Sequence, residues 1–274
     1  VKKIFKFFVL ILIFTSCNDS SQLTESGNEN SEPPLLMNLL IEDWGPYDSS
    51  TGISGDFEFR SDLEAIFFYE YGRLNAIGTP DEYENPTFEY QVPRDTFVYM
   101  PIDGVVSRIR WQPTSGYKQD DWEIFIKPSM ESDWMIIIDH VVSIDCDRSS
   151  TKVCDLPLTI NGVEITTGTE VKAGDLFGYV GNREDNSGGN VFGRTEITIG
   201  KYIEDGNQVV SYCPMNYLDP SVKQSLESAV NNLMSSYETW LEILVSMMKA
   251  IWLLQDVYIV KFLKLTEKQH QQNK

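Results

Sequence analysis

Val98-Tyr99-Met100-Pro101-Ile102-Asp103-Gly104-Val105-Val106 is the stretch that decides the fold. Pro101 and Gly104 bracket an Asp turn, and the chain then enters a β-branched run. A second stretch, Gly168-Thr169-Glu170-Val171-Lys172-Ala173-Gly174-Asp175-Leu176-Phe177-Gly178-Tyr179-Val180-Gly181, repeats that order of turn and strand. Glycine permits tight turns where backbones cross, and the apolar residues between fill the interior of a flattened barrel.

Outward from these two stretches the chain reads as β. Short runs of β-branched and aromatic residues separated by turn residues predict strands over 96–100, 105–111, 123–127, 134–142, 158–160, 163–166, 176–180 and 194–199. Asn161-Gly162 between two of them is a type I′ hairpin signal. The Gly-rich run 181–193 reads as a long loop before the last strand. Residues 56–60 and 88–91 fit strands, and 63–72 fits either a short helix or a strand. After Asp219-Pro220, an N-cap followed by Pro at the first helical position, Leu226, Val230, Leu233, Tyr237, Leu241 and Leu244 recur at helical spacing. From 243 the apolar density rises, but Lys249, Asp256 and Lys261 interrupt it. We therefore expect a helix or helical pair packed on the sheet or on a partner, not a second membrane anchor.

The first residues have another character. Lys2, Lys3 and Lys6 precede an apolar run, FFVLILIF (7–14), closed by Thr15-Ser16-Cys17. That is the layout of a secretory signal, and the run is shorter than the about 20 residues of a spanning helix. Ile13-Phe14-Thr15-Ser16-Cys17 resembles the lipobox of bacterial lipoproteins, which implies cleavage before Cys17 and lipid on its thiol. Residues 18–34 (NDSSQLTESGNENSEPP) are almost devoid of apolar side chains and read as a disordered tether reaching roughly 20–25 Å.

The formal net charge is -19 over 274 residues. Loss of the three signal lysines takes it to about -22 (-19 minus 3). Such a charge disfavours nucleic acid and anionic lipid headgroups as partners. Cys146 and Cys154 flank a polar stretch, and a disulfide there suits an oxidising compartment, leaving Cys213 free and buried. Spacing alone leaves Cys213 able to take either partner.

The segment from about 86 to 203, on its two turn-and-strand stretches, resembles the β-sandwich of lysostaphin-type zinc metallopeptidases, which cut peptidoglycan cross-bridges. The resemblance implies a mainly β fold with C-terminal α: a flattened antiparallel β-sandwich or barrel of the peptidase-like hybrid type, plus one or two C-terminal helices. Similar turns occur in biotinyl and lipoyl carriers and in a sugar-transport phosphocarrier. Those readings need a Lys at the hairpin tip or a histidine pair, and the chain has neither. The implied organisation is a lipoprotein signal peptide (1–16), a disordered tether (17–36), an N-terminal extension to the barrel (37–85), the peptidase-like sandwich (86–218), a C-terminal helical segment (219–266) and a polar tail (267–274).

The same resemblance locates a site. The family's His and Asp metal ligands fall on Asn85 and Glu89, and its His-x-His falls on Arg194-Thr195-Glu196. The one matched histidine is His140; the other, His270, lies in the polar tail. Zinc prefers His and Cys in a compact tetrahedral site, so Asn85, Glu89 and Glu196 are vestigial ligand positions. No cofactor is expected; carboxylates there would suit calcium or magnesium better than zinc. The plain reading of His140 is a structural histidine satisfied by a backbone carbonyl or by Asp139. The loop 145–155 lacks the oxygen spacing of a calcium loop. Trp111, Tyr117, Trp122 and Trp134 are candidates for stacking on carbohydrate, or else core and rim residues.

These readings combine into an envelope lipoprotein, membrane-bound by its lipid and outside the cytoplasm. Its degenerate, non-catalytic domain would bind or scaffold at the cell wall, through a groove beside Arg194 that takes peptidoglycan or an envelope protein. The alternatives are an active peptidoglycan metalloendopeptidase with unusual ligands, and protein–protein interaction through the C-terminal helices.

Overall fold

The structure is a computed structural model that describes residues 32–48, 50–58, 68–69, 74–75, 78–80, 82–112, 121–150, 153–182, 192–203 and 208–253. Cys17 with the signal segment, Tyr117, most of the Gly-rich run and the polar tail lie outside the described residues. The chain is mainly β, with one large curled antiparallel sheet forming a half-barrel and one C-terminal helix.

The strands of this sheet are β1 (Phe68–Tyr69), β2 (Phe88–Pro93), β3 (Phe97–Tyr99), β4 (Gly104–Gln112), β5 (Asp121–Lys127), β6 (Trp134–Val142), β7 (Glu170–Val171), β8 (Leu176–Asn182), β9 (Phe192–Ile203) and β10 (Gln208–Tyr212). The order across it is β7-β4-β5-β6-β8-β9-β2-β1, with β6 also pairing β9, β3 joining β8 and β10 joining β9. The two diagnostic stretches pair with each other. Glu170 stands opposite Val105 and Val171 opposite Gly104. Met100 N–H donates to Asp175 O at 2.9 Å, and Gly174 N–H donates to Met100 O at 2.8 Å. The Asp103 carboxylate closes the junction, accepting from Ala173 N–H at 2.9 Å and from Lys172 Nζ at 3.0 Å.

Alternation sets the core. Phe88, Tyr90 and Val92 put one face of β2 into it, and Ile136 and Ile138 do the same from β6. Trp44 and Phe57, from the segment before the sheet, meet Tyr90 edge-on at ring-centroid distances of 5.2 and 6.2 Å. Leu36, Leu39, Leu40 and Ile41 are fully or almost fully buried, so chain from the expected tether boundary onward belongs to the core. Leu36 N–H donates to Tyr217 O, and Asp219 N–H to Leu36 O, fastening this segment at the start of the helix.

Several details differ from expectation. Of the Gly-rich run expected as a loop, Gly181 and Asn182 end β8 and Phe192 and Gly193 begin β9. Nor is β9 the last strand, since β10 follows it and pairs along it. Helix α1 (Pro220–Leu253) starts at the Asp219 cap, whose carboxylate accepts Ser221 N–H at 2.8 Å. Val230 and Leu233 are its core contacts. Asn161 and Gly162 both take positive φ, 52° and 77°, as a type I′ turn requires.

Cys146 and Cys154 are bonded, with Cα atoms 6.0 Å apart. The expected free thiol at Cys213 is corrected, because Cys213 is itself disulfide-bonded. Trp134 is a core residue that packs on Tyr212 and Tyr217, so it cannot stack on a ligand. Trp111 and Trp122 form a half-buried edge-to-face pair at 5.3 Å.

Candidate functional site

Register across three strands creates the site. Glu196 of β9 stands directly opposite Glu89 of β2 and, on its other side, opposite Asp139 of β6. Directly opposed residues on adjacent strands share a face, with Cβ atoms about 5 Å apart. Three carboxylates therefore stand in one row, an arrangement that repels itself unless a cation is supplied. Arg194 supplies it from the same face of β9, two residues before Glu196. Its Nη1 lies 3.4 Å from Glu89 Oε1, and its Nη2 contacts His140 Nε2.

His140 reaches this row because β6 is bulged. Trp122 pairs with Val141 and Ile124 with Ile138, so two steps on β5 span three on β6. An extra residue of this kind kinks the strand and re-aims a side chain. His140 takes a φ of 59°, and Asp139 Oδ1 accepts its backbone N–H at 2.7 Å. The same Oδ1 accepts Gln112 Nε2 at 2.8 Å, which fixes Asp139. Gly181 lets β8 run against the bulge: a Cβ there would stand 2.7 Å from Asp121 Oδ2 and 2.9 Å from the His140 carbonyl carbon.

The His140 tautomer follows from its partners. A guanidinium only donates, so Nε2 accepts from Arg194 and Nδ1 carries the proton. That Nδ1–H donates to Asp121 Oδ2 at 2.8 Å. Asp121 is fully buried, and its Oδ1 has no partner. Burial opposes charge on His140, but the hydrogen bond and charge of Asp121 outweigh it and hold its pKa above the ordinary value. The remaining contacts are longer: Nε2 is 3.7 Å from Asp139 Oδ2 and 3.9 Å from Glu196 Oε1.

Asn85 joins through Thr87, whose Oγ1 lies 3.0 Å from Asn85 Oδ1 and 3.2 Å from Glu196 Oε2. One hydroxyl proton serves only one of these contacts. A proton on Glu196, donated to Thr87 Oγ1, satisfies the other. Burial pushes Glu196 up to about 7 from 4.5, so it keeps that proton in mildly acidic solution and holds it about half the time at neutrality. A carboxyl whose pKa is raised by folding stabilises the fold below its unfolded pKa, and that stability is lost as pH rises through the folded one. Stability should therefore decline between about pH 4.5 and 7 on account of this group, by at most about 3 kcal/mol. Glu196→Gln should remove that part of the slope in urea titrations run across this range. A slope equal to wild type would refute the assignment.

The structure thus brings together His140, Glu89, Glu196, Arg194 and Asn85. It adds Asp121, Gln112 and Thr87, which the sequence reading missed, and makes Asp121 the partner of the imidazole in place of Asp139 or a carbonyl. No local signal marks Asp121: Asp121 and Glu123 keep one parity and Ile124 and Ile126 the other, the alternation of an ordinary strand, while the bulge that joins Asp121 to His140 lies in β6.

Zinc does not fit these residues. Asp121, Asp139 and His140 offer ligand atoms within 4.8 Å of one another. However, the outer nitrogen of the one histidine is engaged by a guanidinium that would repel a dication. The expected alternative of calcium or magnesium on the carboxylates meets the same guanidinium.

Among solved structures, the chain is similar to lysostaphin. The two are 14% identical, with 59% of this chain and 50% of lysostaphin covered and a TM-score of 0.37. Csd3 of Helicobacter pylori is 15% identical over 75% of this chain and 49% of its own, with a TM-score of 0.32. A chain of the SpoIIIAH and SpoIIQ complex is 11% identical over 69% of this chain and 95% of its own, with a TM-score of 0.30. The chain spans about half the length of lysostaphin and of Csd3. No family model and no curated protein matches it. What the site can do follows from its own side chains.

Proposed function

We propose that this chain is an envelope lipoprotein, anchored outside the cytoplasm by lipid on Cys17, whose peptidase-like sheet domain binds or scaffolds at the cell wall without cutting it. One observation carries the non-catalytic part. The Arg194 guanidinium covers His140 Nε2, the lone pair that a general base would turn toward water or substrate. The imidazole is held between Asp121 and Arg194, and its neighbours Glu89, Asp139 and Glu196 are satisfied within the cluster. The location is supported by the signal-like start, the lipobox-like Thr15-Ser16-Cys17 and the Cys146–Cys154 disulfide. The wall as target is supported by the turn-and-strand stretches at 98–106 and 168–181.

The test uses the full chain expressed in a bacterial host. Intact mass should show a diacylglycerol on Cys17, and Cys17→Ala should move the protein from the membrane to the soluble fraction. A thiol spent on lipid is not available to Cys213, so the same mass under non-reducing conditions decides which bond Cys17 makes. The protein should sediment with purified sacculi, release no soluble muropeptides and carry no stoichiometric metal. Muropeptide release that His140→Ala abolishes, together with bound zinc, would establish the peptidase instead.

A further inference from the structure

Four carboxylates crowd one end of the sheet. Glu89, Glu196 and Asp139 stand in register on adjacent strands, and Asp121 lies fully buried behind His140. Among the described residues, the guanidinium in contact with this group is that of Arg194. Its Nη1 and Nη2 engage Glu89 Oε1 and His140 Nε2, and His140 is one of three residues, with Asp121 and Asp139, whose ligand atoms stand close enough together to hold an ion. Its Nε is buried without a partner, so hydrogen bonding does not saturate the group and charge attraction holds it here.

We propose that the Arg194 guanidinium is the resident cation of this site, replacing a metal ion: it ties β2 to β6 across β9 and neutralises the carboxylate row. The place of the zinc implied by the family resemblance is then covalently filled. A guanidinium that never loses its proton is a permanent cation, and its planar fork can serve an oxygen and a nitrogen ligand at once. Tethered to β9, it needs no free ion to complete the fold. Its removal leaves a cation-shaped vacancy lined by Glu89, Asp139, His140 and Glu196, open to a soluble cation. This inference shares with the proposed function the reading that no metal completes the site. The experiment separates them, because it measures stability and not wall binding.

The mature full chain is compared with Arg194→Ala, Arg194→Met and Arg194→Lys by thermal unfolding. Removing one partner of a buried charge cluster strands the others, so Arg194→Ala should lower the midpoint by roughly 10 °C. Millimolar guanidinium chloride, or zinc or manganese chloride, should restore about half of that loss, relative to sodium chloride at equal ionic strength. Wild type should show no such response. Arg194→Lys, which keeps the charge, should melt well above Arg194→Met, which keeps only the bulk. An alanine variant as stable as wild type overturns the proposal. So does a lysine variant no better than the methionine variant, a comparison that decides the matter even where the alanine variant does not fold. Equal recovery with sodium overturns it as well.

Discussion

Gly181→Ala destabilises the protein by about 3 kcal/mol, the upper end of what overpacking a dense interior costs. The added methyl group has nowhere to go. Its three nearest atoms are Asp121 Oδ2 at 2.7 Å, His140 Cβ at 2.8 Å and the His140 carbonyl carbon at 2.9 Å. Two of these belong to the bulged strand, so relief requires β8 to move away from β6 or the Asp121–His140 hydrogen bond to open. Either route takes the imidazole out of line with Arg194. Urea unfolding should show the lost stability, and the His140 ring resonances should shift in the folded state. A midpoint within error of wild type, with unchanged resonances, would mean that β8 does not approach the bulge this closely.

The second large effect is at Asp121. Asp121→Ala leaves the Nδ1–H of His140 buried without an acceptor, a loss of roughly 3 kcal/mol on the scale of broken buried charged pairs. Asp121→Asn retains an oxygen for that proton and should lose about half as much. Because His140 accepts from Arg194 as a neutral imidazole, it needs an acceptor on Nδ1 more than it needs a countercharge. The double variant with His140→Ala should be less destabilised than the sum of the two single variants, by about 2 kcal/mol. Additive losses would show that Asp121 stabilises the fold through something other than the imidazole. Neither substitution touches the lipobox or the helix, so membrane attachment should be unaltered.

The contrast between Glu89 and Asp121 shows what was legible. Glu89 and Glu196 were found because the family's linear motif carries positions along with it. Their meeting follows from strand register, which hydrophobic alternation specifies strongly wherever a face is buried. Asp121 follows a polar run and opens its strand, so local pattern reads it as loop. Its role depends on one extra residue in β6, and a bulge is a property of two strands together. The same limit explains Cys213. Its environment could be read from the apolar residues around it, but its bonding state depends on which chain segment is brought to it.

The amino-acid sequence by itself determined the class of this protein. The repeated turn-and-strand stretches, the Asn161-Gly162 hairpin and the capped helix at Asp219 are all local codes, written in φ preference, alternation and capping chemistry. It also determined the poverty of histidine that argues against zinc. Tertiary structure alone decided what took the metal's place. The family resemblance places Arg194 at the first position of the His-x-His and beside a groove, but nothing in its neighbours along the chain marks it as the cation of the site. It becomes the cation of the site because β9 lies between β2 and β6, which places its guanidinium between Glu89 and His140. Electrostatic partnership acts across strands, between groups distant in sequence, and exists only after the sheet has closed.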